Sequence, residues 1–139
     1  MKEIIRENII NLPYSLHDAH INKITMNEST LMFMFDEGYY EPKNGDNLPI
    51  QGYIKFDNVD LDYCSIFILN TDGNCKTFMC KEYEVMDFIK DYPSIDMEII
   101  DETYGFNQSK FSGYIYQGES IQKFIVEIYH IGCMKYILQ

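Results

Sequence analysis

The densest group of chemically versatile side chains lies in one short segment, where His17, Asp18 and His20 fall within four residues. Two imidazoles and a carboxylate could ligate a transition metal, or carry out acid–base chemistry with the carboxylate orienting an imidazole. A metal would need further ligands from elsewhere in the chain. Pro13 and Ile21 predict that the segment is a loop leading into a strand. The alternative is that His17 or Asp18 hydrogen-bonds the loop backbone.

The four cysteines do not add a second cluster of this kind. Cys75 and Cys80 are separated by four residues and have no partner pair, so a zinc site is not indicated. His130 and Cys133 are close enough for a thiol nucleophile, but no orienting or oxyanion context accompanies them. We interpret these residues, with Cys64, as incidental reduced thiols or core residues, and we expect no metal and no cofactor.

The acidic run at residues 57–62 resembles a calcium loop in composition only. In EF-hand register Asp60 and Asp62 fit two ligand positions, but Tyr63 and Leu69 occupy the positions that need Gly and Glu. Strand-like alternation predicts instead that Asp60 and Asp62 face solvent while Tyr63 faces inward. This run, with Asp57 at its start, is a candidate for a charged interface.

A second polar cluster contains Asp101, Glu102 and Tyr104, followed by Gly105. Paired carboxylates beside a tyrosine could carry out acid–base chemistry, and glycine allows an unusual turn. The interpretation that we favour is a strand end with an exposed acidic loop. The sequence contains no phosphate-binding loop, dinucleotide fingerprint, nucleophile elbow or H-E-x-x-H motif, so the well-marked enzyme classes receive no support.

The charge of the chain excludes some partners and suggests another. Its 139 residues carry 11 Lys and Arg against 22 Asp and Glu, a net charge of −11, and Arg6 is the only arginine. Nucleic acid and anionic membranes both require a cationic surface, so we expect neither. The acidic excess falls in two blocks: residues 28–62 hold eight acids against two lysines, and residues 82–102 hold eight acids against one. These blocks are either solvated segments or an acidic surface for a basic partner.

Hydrophobic alternation predicts an α+β fold, mainly an antiparallel sheet of about eight short strands, in one domain spanning residues 1–139. Strand patterns occur at residues 20–27, 30–35, 53–58, 63–70, 76–80, 96–100, 110–116, 122–130 and 134–138. Apolar residues at helical spacing predict one helix over residues 83–92, ended by Pro93. We also predict a short helix within residues 2–10 and a long loop over residues 36–49.

The sequence indicates a cytoplasmic protein. The N-terminal residues are interrupted by charge and lack the apolar core of a signal peptide. No run of about 18 apolar residues, the length needed for a membrane helix, is present. The oligomeric state is left open.

The segment Leu16-His17-Asp18-Ala19-His20-Ile21, followed by a strand pattern that ends in Asp36-Glu37-Gly38, resembles the L-H-D-[AS]-x-[IV] opening of small uncharacterised bacterial proteins. Some of these resemble immunity proteins of contact-dependent or polymorphic toxin systems, in which a small acidic cytosolic protein masks a toxin. The resemblance covers about the first quarter of the chain. It implies no catalytic residues, and only His17 and Asp18 match its polar signature.

Our first hypothesis is therefore a non-enzymatic protein-interaction module, of the kind represented by immunity proteins, that binds a basic protein. The acidic residues predicted to contact that partner are Asp57, Asp60, Asp62, Asp101 and Glu102. The alternative hypothesis is a small enzyme or a ligand- or metal-binding domain centred on His17, Asp18 and His20.

Overall fold

A computed structural model describes residues 1–71 and 78–139 of the chain. Within these ranges it contains twelve strands, one α-helix and a 3₁₀ turn at Leu61–Tyr63. The strands and the helix are β1 (Lys2–Ile5), β2 (His20–Asn27), β3 (Thr30–Phe35), β4 (Tyr39–Lys43), β5 (Asp46–Ile50), β6 (Gly52–Phe56), β7 (Ser65–Thr71), β8 (Phe78–Tyr83), α1 (Val85–Asp91), β9 (Met97–Gly105), β10 (Gln108–Gln117), β11 (Ser120–Tyr129) and β12 (Met134–Leu138).

Ten of these strands form one antiparallel sheet in the order β1-β12-β6-β3-β2-β9-β10-β11-β7-β8, while β4 and β5 form a separate hairpin. The sheet curves so that its two halves face each other: the ring centres of Phe33 in β3 and Phe111 in β10 are 5.6 Å apart. In sheet order β2 and β9 separate these two strands. Phe33, Phe56 and Phe111 are fully buried and form the centre of one hydrophobic core.

The predicted antiparallel α+β fold with a single main helix is confirmed, but the predicted number of about eight strands is too low. The predicted helix within residues 2–10 is wrong, because Lys2–Ile5 forms β1 and pairs with β12, the last strand. Isoleucine suits a pleated surface, and this long-range pairing overrides the local i, i+4 pattern. No helical segment of the described residues has the length and apolar content needed to span a bilayer.

The loop predicted over residues 36–49 is also wrong, since β4 and β5 lie within and just beyond it. Asn44 and Gly45 join them, with φ of 54° and 82°. Positive φ at both residues is the geometry of a two-residue type I′ hairpin turn, for which Asn-Gly is the preferred sequence. Pro42 and Pro49 are tolerated because both strands of a two-stranded sheet are edge strands.

A β-bulge in β9 determines which side chains of this strand face the core. In β9, Ile99 pairs with Gly113 and Asp101 pairs with Ser112, so Ile100 is the extra residue. A bulge reverses the alternation of the strand beyond it. Met97 and Ile99 point inward before the bulge and Glu102 after it. The predicted strand 96–100 therefore continues through the acidic residues that we expected in a loop.

Candidate functional site

The Leu16–Ala19 segment is held against β9. Leu16 and Ala19 are buried, and Asp18 has a φ of 67°, a conformation that Asp adopts more readily than most residues. The backbone N–H of Asp18 donates to the carbonyl oxygen of Ile99 at 2.7 Å, and the N–H of Ile99 donates to that of Ala19 at 2.9 Å. These bonds extend the short β2–β9 pairing. They also fix the start of β2, so that the His20 side chain lies on the outer face of the sheet.

The two histidines of this segment have separate partners. His17 donates from Nδ1 to the carbonyl oxygen of Ile100 at 2.7 Å, and this bond is the main cause that raises the pKa of His17. His20 donates from Nδ1 to Asp96 Oδ1 at 2.6 Å. In the described part of the chain, no three His, Cys, Asp or Glu side chains are arranged to hold a metal ion. The imidazoles of His17 and His20 therefore do not belong to one metal-binding or acid–base site.

His20 is surrounded by groups from β9 and β10. Its Nε2 atom lies 3.8 Å from Glu98 Oε2, and the Tyr116 ring stacks on the imidazole with ring centres 6.2 Å apart. The Tyr116 hydroxyl donates to Glu98 Oε1 at 2.6 Å, which raises the pKa of Tyr116 to about 12. His20 and its two carboxylate neighbours Asp96 and Glu98 remain partly exposed.

Carboxylates from both acidic blocks meet at this position. Asp36 and Glu37 of the first block line, with Asp18 and His20, a cavity of about 340 Å³. Asp36 also accepts from the Asn22 side chain at 2.7 Å, and its N–H donates to the His20 carbonyl at 3.2 Å. Asp96 and Glu98 of the second block contact His20 from the other side. We define the acidic surface as Asp18, Asp36, Glu37, Asp96 and Glu98.

The acidic surface has no Lys or Arg counter-ion in residues 1–71 and 78–139. Within these ranges no Lys or Arg nitrogen lies within 4.0 Å of any of its five carboxylates, whose ion pairs are all with histidine. The ion pairs that lysines form within these ranges lie elsewhere and involve the carboxylates of Glu3, Asp57 and Glu127. No Lys or Arg of the described residues therefore neutralises the charge of this surface.

Of the five predicted contact residues, Asp101 and Glu102 lie on β9. Asp101 is exposed, close enough to His17 to contribute to its raised pKa. Glu102 is turned inward by the bulge, and its Oε2 accepts from the Leu16 N–H at 2.7 Å while its Oε1 accepts from the Tyr104 hydroxyl at 2.8 Å. Burial raises the pKa of Glu102 despite these bonds.

The other three contact candidates lie at the opposite end of the β2–β3 hairpin. Asp57 is paired with Lys135 at 2.9 Å. Asp60 accepts from the backbone N–H of Asp62 and so caps the 3₁₀ turn. Asp60 and Asp62 line a groove of about 490 Å³ that also contains Glu28. The prediction that Tyr63 faces inward is wrong: the chain forms a 3₁₀ turn here instead of a strand, and Tyr63 is 70% exposed.

His130 is buried, and its ring nitrogens bond to Ser109 and Gly132 and not to a cysteine of the described residues. Its Nδ1 donates to the Gly132 carbonyl at 2.9 Å, so that Nε2 accepts from the Ser109 hydroxyl at 2.7 Å. Burial lowers the pKa of His130. Cys133 is exposed, and Cys75 lies outside the described residues. Ser109 and His130 are both too buried to meet a substrate.

Sequence reasoning missed Asp96, Glu98 and Tyr116 as neighbours of His20. One signal was available: in the predicted strand 96–100, Asp96 and Glu98 are two residues apart and so share one face. Their proximity to His20 follows from the pairing of His20 with Glu98 between β2 and β9. That pairing joins segments 78 positions apart, which no local pattern reveals.

Comparisons with known proteins identify no relative. No protein-family model matches the chain, and neither a curated protein sequence nor a solved structure is similar to it.

Proposed function

We propose that this protein is a non-enzymatic interaction module that binds a basic protein through the acidic surface. The observation that carries the proposal is the meeting of both acidic blocks around His20 without a Lys or Arg counter-ion among the described residues. Clustered like charges repel one another in the free protein, and a partner's Lys and Arg side chains relieve that repulsion. The surface is therefore better suited to a complex than to the isolated chain.

The resemblance of the Leu16–Ile21 segment to toxin-system immunity proteins supports a specific form of this proposal. In those systems a small acidic cytosolic protein masks a toxin, and we propose the same role and the same compartment here. Complementary charge accelerates association and selects against acidic competitors. An immunity protein needs fast association, because its toxin must be neutralised before it acts.

The test uses two double variants that change the net charge by the same amount. Asp36→Asn with Asp96→Asn alters the acidic surface, and Asp60→Asn with Asp62→Asn alters the distant groove. Asparagine keeps an acceptor oxygen, so the contacts to Asn22 and His20 survive. The probe is the protein encoded by the neighbouring gene, produced as an inactive variant, and the measurement is its association rate at 50 and 500 mM NaCl.

We expect the Asp36/Asp96 double variant to slow association about tenfold at 50 mM NaCl, and the Asp60/Asp62 double variant to slow it by about twofold or less. The difference between them should shrink at 500 mM NaCl, where charges are screened beyond about 4 Å. Equal slowing by both variants would show that only the net charge matters. The absence of any complex with the probe would contradict the interaction proposal.

The alternative function, a small enzyme or ligand-binding site centred on His17, Asp18 and His20, is favoured by one observation. The 2.6 Å contact of His20 with Asp96 is the arrangement by which a carboxylate orients an imidazole for proton transfer. Against it, no serine or cysteine side chain of the described residues hydrogen-bonds either imidazole. Stoichiometric zinc, iron, nickel or manganese in the purified protein would support the metal-binding form, and its absence would remove it.

A further inference from the structure

The end of the molecule formed by the N-terminal segment and the β9–β10 turn exposes large apolar side chains. Phe106 lies in the two-residue turn between Gly105 and Gln108 and is 88% exposed, while Ile10 is 99% exposed. Both line a groove of about 530 Å³ together with Ile9 and Leu12. Isolated exposed apolar residues are ordinary, but several around one groove indicate an interaction site. We define the apolar end as Ile9, Ile10, Leu12 and Phe106.

The apolar end is also free of charge in its sequence. Residues 8–16 and 103–109, which supply all four of its side chains, contain none of the 11 basic and 22 acidic residues of the chain. The cation nearest to it is Arg6, whose guanidinium lies 4.1 Å from the centre of the Tyr104 ring and donates to Asn8 at 2.9 Å. The guanidinium therefore has two contacts within the molecule, while its buried Nε has no hydrogen-bond partner among the described residues.

We propose that the apolar end is the interface of a symmetric dimer, in which a second copy of this chain is the occupant. Two copies with a net charge of −11 repel each other over most of their surfaces. The repulsion between two copies is smallest where the segments in contact, residues 8–16 and 103–109, contain no acidic residues. A two-fold interface places the same patch of each copy in contact, so one patch must offer both a projection and a recess. The Phe106 side chain and the adjacent groove provide these two features.

A basic partner fits this end poorly. It gains little from segments that contain no acidic residue, and Arg6, which also lines the groove, offers Lys and Arg side chains no attraction. The dimer proposal and the proposed function therefore concern different surfaces, and they predict opposite effects of salt. Salt screens the repulsion between two acidic copies and strengthens the dimer, whereas it weakens binding of a basic protein.

The experiment is sedimentation equilibrium of the full chain between about 5 and 500 µM, at 50 and 500 mM NaCl. We expect a monomer–dimer equilibrium whose dissociation constant falls about fivefold or more at the higher salt concentration. Phe106→Ser with Ile10→Ser should raise the dissociation constant at least about 30-fold, since two apolar anchors are lost from each copy. Unfolding curves that match the wild type would show that this variant is folded.

The matched control is Ile121→Ser with Ile131→Ser, which removes two exposed isoleucines outside the apolar end and should leave the dimer unchanged. A wild-type chain that stays monomeric throughout overturns the proposal, as does a dimer that the control pair weakens equally. If the chain stays monomeric and the Phe106/Ile10 variant instead loses binding to the probe protein or to neutral lipid vesicles, the occupant is that partner and the dimer is rejected.

Discussion

Glu102 Oε2 accepts a hydrogen bond from the backbone N–H of Leu16 at 2.7 Å, across 86 positions of sequence. The contact exists because the bulge at Ile100 turns Glu102 toward the core. It joins the Leu16–Ala19 segment to β9 and so fixes the position of His20 at the start of β2. A residue that we predicted to contact a partner thus stabilises the loop beside the acidic surface.

Replacing Glu102 with alanine should therefore lower the free energy of unfolding by about 2–4 kcal/mol, because the Leu16 N–H and the Tyr104 hydroxyl lose their acceptor in a partly buried place. Glu102→Gln keeps one acceptor oxygen and should cost less. Urea unfolding of the two variants measures the difference. Glu37→Ala, at an exposed position, is the control and should change stability by about 0.5 kcal/mol or less. Equal losses for Glu102→Ala and Glu37→Ala would contradict the role of the contact.

The buried His130 should make stability depend on pH. Its pKa lies below the value of about 6.5 in an unfolded chain, so below pH 6.5 the unfolded state binds a proton that the native state does not. The free energy of unfolding then falls with decreasing pH, by up to about 1.4 kcal/mol per pH unit, until the native pKa is passed.

Urea unfolding at pH 7.5, 6.5 and 5.5 checks this expectation when wild type is compared with His130→Gln, whose side chain does not titrate. His17, whose pKa is raised, acts with the opposite sign but is present in both proteins and cancels in the comparison. The difference in stability between wild type and variant should narrow between pH 6.5 and 5.5. A constant difference would refute the assignment of a neutral, buried His130.

Gly113 should be intolerant of a side chain. A Cβ atom at this position would lie 1.9 Å from the carbonyl oxygen of Glu98, which is backbone and cannot move away cheaply. Gly113→Ala should therefore displace β10 from β9 at the bulge and lower the free energy of unfolding by at least about 2 kcal/mol. Gly105→Ala is the control on β9, where a Cβ meets nothing within 4 Å. Thermal unfolding of both variants tests this prediction, and Gly113→Ala should have the lower midpoint. Similar midpoints for the two variants would contradict the bulge geometry.

Lys55 and Lys135 face each other directly across β6 and β12, an unfavourable pair of like charges. Glu3 of β1 lies 3.3 Å from Lys55 and 3.9 Å from Lys135. Glu3→Gln should lower the free energy of unfolding by about 0.3–1 kcal/mol at 20 mM NaCl and by less at 1 M NaCl. As a control, Glu28→Gln removes an exposed acid from the groove lined by Asp60 and Asp62 and should not lower the free energy of unfolding. A loss for Glu3→Gln that is insensitive to salt would point to packing instead.

Patterns local to one strand were readable from the sequence. The structure confirms the predicted bounds of the strands at residues 20–27, 30–35 and 134–138. Their sequences are rich in apolar residues that favour a pleated strand, which is a local signal. The Asn44-Gly45 turn is also a local pattern, but we interpreted it, together with Pro42 and Pro49, as part of a loop. These elements depend on residues close in sequence, which is the information that such patterns hold.

The features that build the candidate site depend on partner strands instead. A bulge is a mismatch between two strands, so nothing in β9 alone shows that Glu102 faces inward and Asp101 outward. The pairing of β1 with β12 overrode a plausible helix for the same reason. Asp36 and Asp96 meet at His20 only because the sheet places β2 between β3 and β9.

The pairing of β1 with β12 also bears on how the chain folds. Lys2 is opposite Leu138, so among the described residues β1 pairs in the sheet with β12 alone, and β12 is synthesised after all the strands that lie between them in the sequence. During synthesis β1 must therefore wait, with its backbone unpaired, until β12 emerges. Sheets closed by such distant contacts form slowly, because the entropy of a long loop is lost before the contacts form. We expect the closing of this edge to be a late step in folding.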